Sequence, residues 1–376
     1  MKIAYCLKST FNSGGMERIV TRKINALANK GYDITLITTD QKQRPSFFKI
    51  IDKVKIIDLA INYDDIEPLP FFKKLYHRQL KIKKHHKILE QLCVKEQFDI
   101  IISTYGNEIN FIHKIRGVKK KIAEIHFSRG FKTLFNQSSF RKLVNRYLIY
   151  SYECKASKLD AFVCLTQEDL KDWKKIKNIR TIPNFIESRS IRPSKLTDKK
   201  VVALGRLSYQ KGYDMMLKVW QIVNSVHPDW ILHIYGGGEL EKKIKEQRDI
   251  LNLTDAVKIH QPVSDTNSLL EESSIYCMTS RFEGMPMVLL EAMACGLPIV
   301  SFDCKCGPKD LLSTGESGIL VPFGDIEAMA SSICKLIEND TLRKSIGHNA
   351  YIESENYMMH NILPKWEKLF IELLSK

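Results

Sequence analysis

Short apolar runs that do not alternate with polar residues recur along the whole chain, and a stretch with helical spacing follows most of them. In the first half the runs are residues 3–7, 33–38, 54–59, 99–103, 121–125 and 160–165. In the second they are 201–204, 230–235, 257–260, 275–278, 298–302 and 318–321. A strand with no polar face is buried on both sides, so the pattern predicts parallel sheets covered by helices on both faces. Between the first two runs, Met16, Ile19, Val20, Ile24 and Leu27 share one helical face, and Gly31 follows as a stop. At 376 residues the chain is too long for one compact core. The polar stretch 187–200 is the linker candidate. The expectation is two doubly wound Rossmann-like α/β domains, 1–186 and 187–358, followed by a helix within 359–376 whose apolar face is Trp366, Leu369, Phe370 and Leu373.

No stretch approaches the roughly 18 apolar residues of a membrane span. The amino terminus reads as a first buried strand and not as a leader, which predicts a cytoplasmic chain. The nine cysteines are irregularly spaced, several of them inside apolar runs, and read as reduced structural thiols. Charge is uneven: residues 1–190 carry a formal +18 and residues 191–376 carry −3. The cations concentrate in 71–87 (Lys73, Lys74, Arg78, Lys81, Lys83, Lys84, Lys87) and 129–158, interleaved with aromatic and aliphatic residues. One such run is ordinarily a solvated helix face. Two in one half favour an anionic surface, either membrane headgroups or nucleic acid.

In paired doubly wound domains, ligands bind at the carboxyl ends of strands, in the cleft between domains. The strongest local signal there is Arg281-Phe282-Glu283-Gly284-Met285-Pro286-Met287, running on to Glu291 and Gly296. Pro286 suits a first helical position and Gly296 the residue past the end, giving a helix roughly 15 Å long. Its amino end would present free backbone N–H groups to an anion. Two carboxylates flank that end, Glu283 before it and Glu291 about 7.5 Å further along. They suit a ligand with both phosphates and hydroxyls, one holding a sugar and the other a ribose, or they are an unrelated loop and helix pair. Arg206 and Lys211 lie in the loop after the 201–204 strand and can converge on a diphosphate. Gly14-Gly15 follows the first strand and lets backbone come close to a ligand. His126 follows the 121–125 strand, either as a structural residue or as a cleft group. Gly237, in a run of three glycines after 230–235, offers either a platform for a flat base or a turn.

Taken together and in this order, these pieces resemble the retaining nucleotide-sugar glycosyltransferases of the GT-B fold, family 4 (group 1), over essentially the whole chain. The most specific match is Glu-x7-Glu at Glu283 and Glu291, joined by Gly205-Arg206-Leu207 with Lys211-Gly212 and by Gly14-Gly15-Met16-Glu17. The resemblance implies that Arg206, Lys211, Gly14, Gly15 and the Met285-Pro286-Met287 helix start bind the donor diphosphate. It implies Glu291 on the ribose with Gly237 at the base, Glu283 on the transferred sugar, and His126 near that sugar's hydroxyl edge. It also implies a C-terminal helix that packs back on the first domain. The family often has glycine where this chain has Gln261, a departure that bears on base recognition. With no Asp-x-Asp motif in a suitable loop, no metal or other cofactor is expected. The implied activity is transfer of a hexose from a nucleotide sugar, UDP-linked, to a lipid-linked or glycan acceptor in bacterial surface polysaccharide synthesis (capsule, exopolysaccharide or O-antigen). The implied location is peripheral, on the inner face of the cell membrane. Two rivals are a nucleotide-sugar epimerase on the same fold and a basic nucleic-acid-binding protein. The second predicts base-stacking or groove-reading modules, and none is apparent.

Overall fold

The computed structural model describes residues 1–131, 139–263, 265–313 and 315–375. Part of the basic stretch 129–158 and the last residue of 359–376 therefore lie outside the described residues. Among the described residues thirteen strands form two sheets. The first sheet contains β1 (Lys2–Leu7), β2 (Asp33–Thr38), β3 (Lys55–Asp58), β4 (Phe98–Ser103), β5 (Val118–Glu124), β6 (Ala161–Cys164) and β7 (Ile179–Thr181). Its order is β3-β2-β1-β4-β5-β6-β7 and every pairing is parallel. The second contains β8 (Lys200–Leu204), β9 (Ile231–Tyr235), β10 (Val257–His260), β11 (Ile275–Met278), β12 (Ile299–Asp303) and β13 (Ile319–Pro322), ordered β10-β9-β8-β11-β12-β13 and again all parallel.

The helices are α1 (Gly15–Asn29), α2 (Phe71–Glu96), α3 (Ser139–Ala156), α4 (Gln167–Asp172), α5 (Tyr213–Val226), α6 (Glu241–Ile250), α7 (Thr266–Glu271), α8 (Met287–Ala294), α9 (Pro308–Leu311), α10 (Ile326–Glu338), α11 (Asp340–Glu353) and α12 (Met359–Leu374). Each sheet is thus wound in two directions from its middle. The strand order reverses between β1 and β4 in one sheet and between β8 and β11 in the other, which opens a crevice at each carboxyl edge. This is the expected pair of Rossmann-like domains.

Four apolar clusters fill the two faces of the two sheets. One of them crosses between the domains, where Ile19 and Leu165 of the first pack with Met285 and Leu290 of the second. α12 returns to the first sheet and buries Trp366, Phe370 and Leu369 with Ile3, Tyr5 and Val20. The chain passes between domains at Ile186 and again at Met358, and these two passages pair with each other. The Ile186 N–H donates to the Tyr357 carbonyl at 3.0 Å, and the Met359 N–H to the Ile186 carbonyl at 2.9 Å.

Two local readings need correction. β7 is a seventh strand in the first sheet; with three residues and one apolar side chain it has no periodicity to detect. The polar linker stretch after Ile186 is tied to the second domain, where Ser190 and Ser194 donate backbone N–H bonds to the Ala294 and Cys295 carbonyls. Those acceptors are the end of α8, whose last carbonyls lack helical donors. Pro286 is the residue before α8, with extended backbone (φ −73°, ψ 101°), and not its first helical residue. A proline's fixed φ serves both positions. Gly307 packs so tightly against Pro286 that a Cβ there would lie 2.3 Å from the proline Cδ.

Candidate active site

The second domain presents its chemistry where its strand order reverses. Gly205-Arg206 follows β8, and the chain after β11 runs through Thr279 and Arg281 to Glu283. Arg206 is exposed and makes no ion pair among the described residues. Lys211 is turned inward, and its ammonium contacts Glu283 Oε1 at 2.7 Å. Glu283 is 6% exposed. Gln210 holds the same segment, its amide donating to the Phe282 carbonyl at 3.0 Å and to Glu283 Oε2 at 3.3 Å. The Glu283 charge joins burial in pushing the Tyr213 hydroxyl well above the ordinary range, with burial the larger cause. Arg281 clamps the loop onto the start of α5 through a two-pronged pair with Asp214, at 2.9 and 2.6 Å.

α8 begins just beyond this loop, so the N–H groups of Met287 and Val288 have no helical acceptor by position. Glu291 lies in its second turn, 7% exposed. Its partner comes from the other domain: Arg18 Nη2 contacts Glu291 Oε1 at 2.5 Å. One turn further along α1, Arg22 pairs with Glu187 at 3.0 Å. Gly14 precedes α1 and Gly15 opens it, and a Cβ on Gly15 would meet nothing within 4 Å.

The two domains also meet tightly at Gly284. A Cβ there would lie 2.5 Å from the His126 carbonyl oxygen and 2.9 Å from Phe127 Cα, so a side chain at this position would force the cleft apart. The structure therefore brings the Lys211–Glu283 pair and the backbone of His126 to one place, with Arg206 following the β8 strand at the same edge. The three glycines after β9 divide differently. Gly236 and Gly238 press on the backbone of Gly205 and Leu207, where a Cβ would come within 1.9 and 2.5 Å, whereas Gly237 makes only ordinary contact with Pro262. Gln261 is exposed beside them. Behind this loop Tyr235 and His260 stack at 4.3 Å, and His233 Nδ1 stands 3.0 Å from His260 Nε2. Burial first, then the charges of Lys200, His260 and Lys258, lower His233 to about 4.

Sequence reading missed Arg18 and Arg22, whose acidic partners lie far along the chain. It also missed Lys23 and Glu124 behind His126. Lys23 left a signal: it is a lone cation in the apolar stripe of Ile19, Val20, Ile24 and Leu27. Among the described residues no group of three or more His, Cys, Asp or Glu side chains is placed to hold a metal ion.

Residues 13–189 match the family model described as Glycosyltransferase Family 4, and residues 184–353 match the one described as Glycosyl transferases group 1. The chain is 31% identical over 374 residues to an uncharacterized glycosyltransferase of Haemophilus influenzae, covering 97% of this chain and 99% of that one. It is 25% identical over 380 residues to the Campylobacter jejuni enzyme named GalNAc-alpha-(1->4)-GalNAc-alpha-(1->3)-diNAcBac-PP-undecaprenol alpha-1,4-N-acetyl-D-galactosaminyltransferase, covering 99% of each. Its fold is similar to that of Staphylococcus aureus TarM, solved in a complex containing UDP, with a TM-score of 0.79 at 18% identity over 98% of this chain and 99% of the other.

Proposed function

The chain belongs to the glycosyltransferases of the GT-B fold, and from that premise we propose a retaining enzyme that moves a hexose from a UDP-sugar to a lipid-linked or glycan acceptor in bacterial surface polysaccharide assembly. The observation that carries this reading is the Lys211–Glu283 pair at the β8/β11 edge, with Arg206 beside it and His126 brought up from the first domain at Gly284.

Breaking the bond between the sugar C1 and the diphosphate leaves negative charge on the phosphate oxygens. Arg206, Lys211 and the N–H groups at the start of α8, after Met285 and Pro286, stabilise that charge, so no metal is required. Gly14 and Gly15 supply room for the diphosphate. Glu291 accepts from the ribose hydroxyls, and Gly237 borders the base. Glu283 accepts from hydroxyls of the transferred sugar, and His126 stands at the same sugar's edge. The acceptor oxygen bonds to C1 on the face that the diphosphate leaves, and a departing phosphate oxygen takes the acceptor's proton.

A lipid-linked acceptor fits the first domain's surface. Phe71, Phe72, Leu75 and Tyr76 are exposed on α2, as are Leu143, Tyr147 and Tyr150 on α3. Lys73, Lys83, Lys84 and Lys87 are also exposed. Apolar side chains ringed by free cations suit peripheral docking on an anionic leaflet. No described helix is long and apolar enough to cross a membrane. The Campylobacter relative's name includes a diphospho-undecaprenol glycan, which supports the same acceptor class. The test is turnover of a panel of nucleotide sugars on lipid-diphosphate acceptors, read by mass, with the product's anomeric configuration read by NMR. Absence of transfer from every donor, or an inverted product, would overturn the reading.

A further inference from the structure

An ionic cluster lies behind the cleft in the first domain, closed to water. Lys23 on α1 and Glu124 at the end of β5 are each 1% exposed and form an ion pair. The Lys23 ammonium also stands 3.9 Å over the Trp366 ring of α12 and 5.8 Å from the Tyr5 ring of β1. A buried pair of this kind gains little stability over well-packed apolar side chains. Its geometry points to the histidine two residues on. His126 Nε2 lies 3.1 Å from Glu124 Oε1, and the His126 side chain is 5% exposed. Neither ring nitrogen has an aligned hydrogen bond, and Glu124 Oε2 is also unpaired. Buried polar atoms in folded proteins are ordinarily satisfied, so this cluster has capacity to spare beside the cleft.

The chemistry fixes how that capacity is used. Burial alone would raise the Glu124 carboxyl, but Lys23 and His126 outweigh it and bring the group down to about 2. An ionised carboxylate only accepts hydrogen bonds, so the imidazole nitrogen facing it must carry a proton. In a neutral ring Nδ1 is then the acceptor. We propose that Glu124 is a positioning residue that selects the Nε2–H tautomer of His126, held in place by Lys23 and Trp366, and so fixes the orientation of the imidazole beside the cleft with Nδ1 as its acceptor. The His126 carbonyl abuts Gly284, next to Glu283, so the backbone that carries the imidazole lies against the Glu283 loop. The proposal rests on reading this cleft as the donor site.

Side-chain 15N NMR of the full chain, with the His126 signal assigned by its loss in His126→Gln, reads the tautomer without any substrate. The expected wild-type state is Nε2–H, and Glu124→Gln should give a mixture or the opposite tautomer. With donor, Glu124→Gln should lower kcat about tenfold or more while KM for the nucleotide sugar moves little. The same change in a His126→Ala background should add nothing, since Glu124 acts only through His126. If Glu124→Gln does not fold, Lys23→Met combined with Glu124→Gln removes both charges and serves in its place. An Nδ1–H tautomer in the wild type, a tautomer indifferent to Glu124, or full multiplication of the two losses would each overturn the proposal. A tautomer that follows Glu124 in a protein inactive on every donor would uphold it and count instead against the donor-site reading.

Discussion

Replacing Lys211 with alanine separates two jobs that the structure gives one ammonium. Lys211 has three donors, and one is spent on Glu283 Oε1 at 2.7 Å, which leaves two for phosphate oxygens. Losing a charge-assisted contact to the diphosphate costs about 1.5–3 kcal/mol, or roughly 10- to 150-fold in affinity for free UDP. The second cost falls on folding. Breaking a buried pair costs about 3–5 kcal/mol, and the 17% and 7% side-chain exposures of Lys211 and Glu283 place this one near the lower end. In a domain of this size about 3 kcal/mol lowers the melting temperature by roughly 6–12 °C. Adding Glu283→Gln to Lys211→Ala should restore much of the melting temperature and none of the affinity. Arg206→Ala, an exposed residue with no ion pair among the described residues, should weaken UDP binding while leaving the melt unchanged. Isothermal calorimetry and thermal melts on the three variants and the wild type decide the matter. A Lys211→Ala protein that melts early yet binds UDP within about twofold of wild type would make Lys211 a counter-ion only, and the diphosphate site would have to move.

The two glutamates should part company: Glu283→Gln lowers turnover with UDP affinity kept, whereas Glu291→Gln weakens UDP binding by about tenfold, and the reverse pattern would exchange their roles. Turnover should survive exhaustive EDTA, and loss restored by magnesium or manganese would contradict charge stabilisation by Arg206, Lys211 and α8 alone. The protein should co-sediment with anionic vesicles and detach as salt rises; joint replacement of Lys73, Lys83, Lys84 and Lys87 by Glu should release it, each facing cation contributing about 1 kcal/mol. Equal partitioning onto neutral vesicles would return α2 to a solvated helix. Stability should fall with acid because burial, then the charge of His86, lowers His85 to about 3. The unfolded chain takes up that proton near pH 6.5, so stability is full above 6.5 and declines toward 3, by about 2 kcal/mol at pH 5. Urea midpoints that do not differ between pH 7 and 5 would contradict the buried, neutral imidazole.

What the sequence reveals about this fold follows from the length of each signal. β2, β10 and β11 have the limits their apolar runs predict, because strands of four to six buried residues leave no competing register. Ile179–Thr181 has a single apolar side chain and becomes a strand only because β6 is there to pair with it. The placement of Arg206, Lys211, Glu283 and Glu291 near strand and helix ends is readable because each sits at a fixed offset from a strand end or a helix start. The pairing of Arg18 is not: its carboxylate partner is 273 positions away, and nothing local to Gly14-Gly15 announces it. Glu124 was hidden in the same way, 101 residues from Lys23. The polar run after Ile186 reads as a linker by composition, and α8's unsatisfied carbonyls recruit its N–H groups.

The return of α12 to the first sheet sets an order on synthesis. Translation delivers the amino-terminal residues first, and domains commonly fold as they emerge. Here the first domain cannot close when its own strands are complete. Ile3, Tyr5 and Val20 wait for Trp366, Leu369 and Phe370, which leave the ribosome after every strand of both sheets. Until then α1 alone covers that face, and the Lys23 ammonium lacks the Trp366 ring that stands over it. The second domain, whose last strand is β13, has its whole sheet synthesised before the first domain receives its final helix. A nascent chain arrested short of residue 359 should therefore carry a protease-resistant second domain beside a protease-sensitive first, so that the half made earlier matures later.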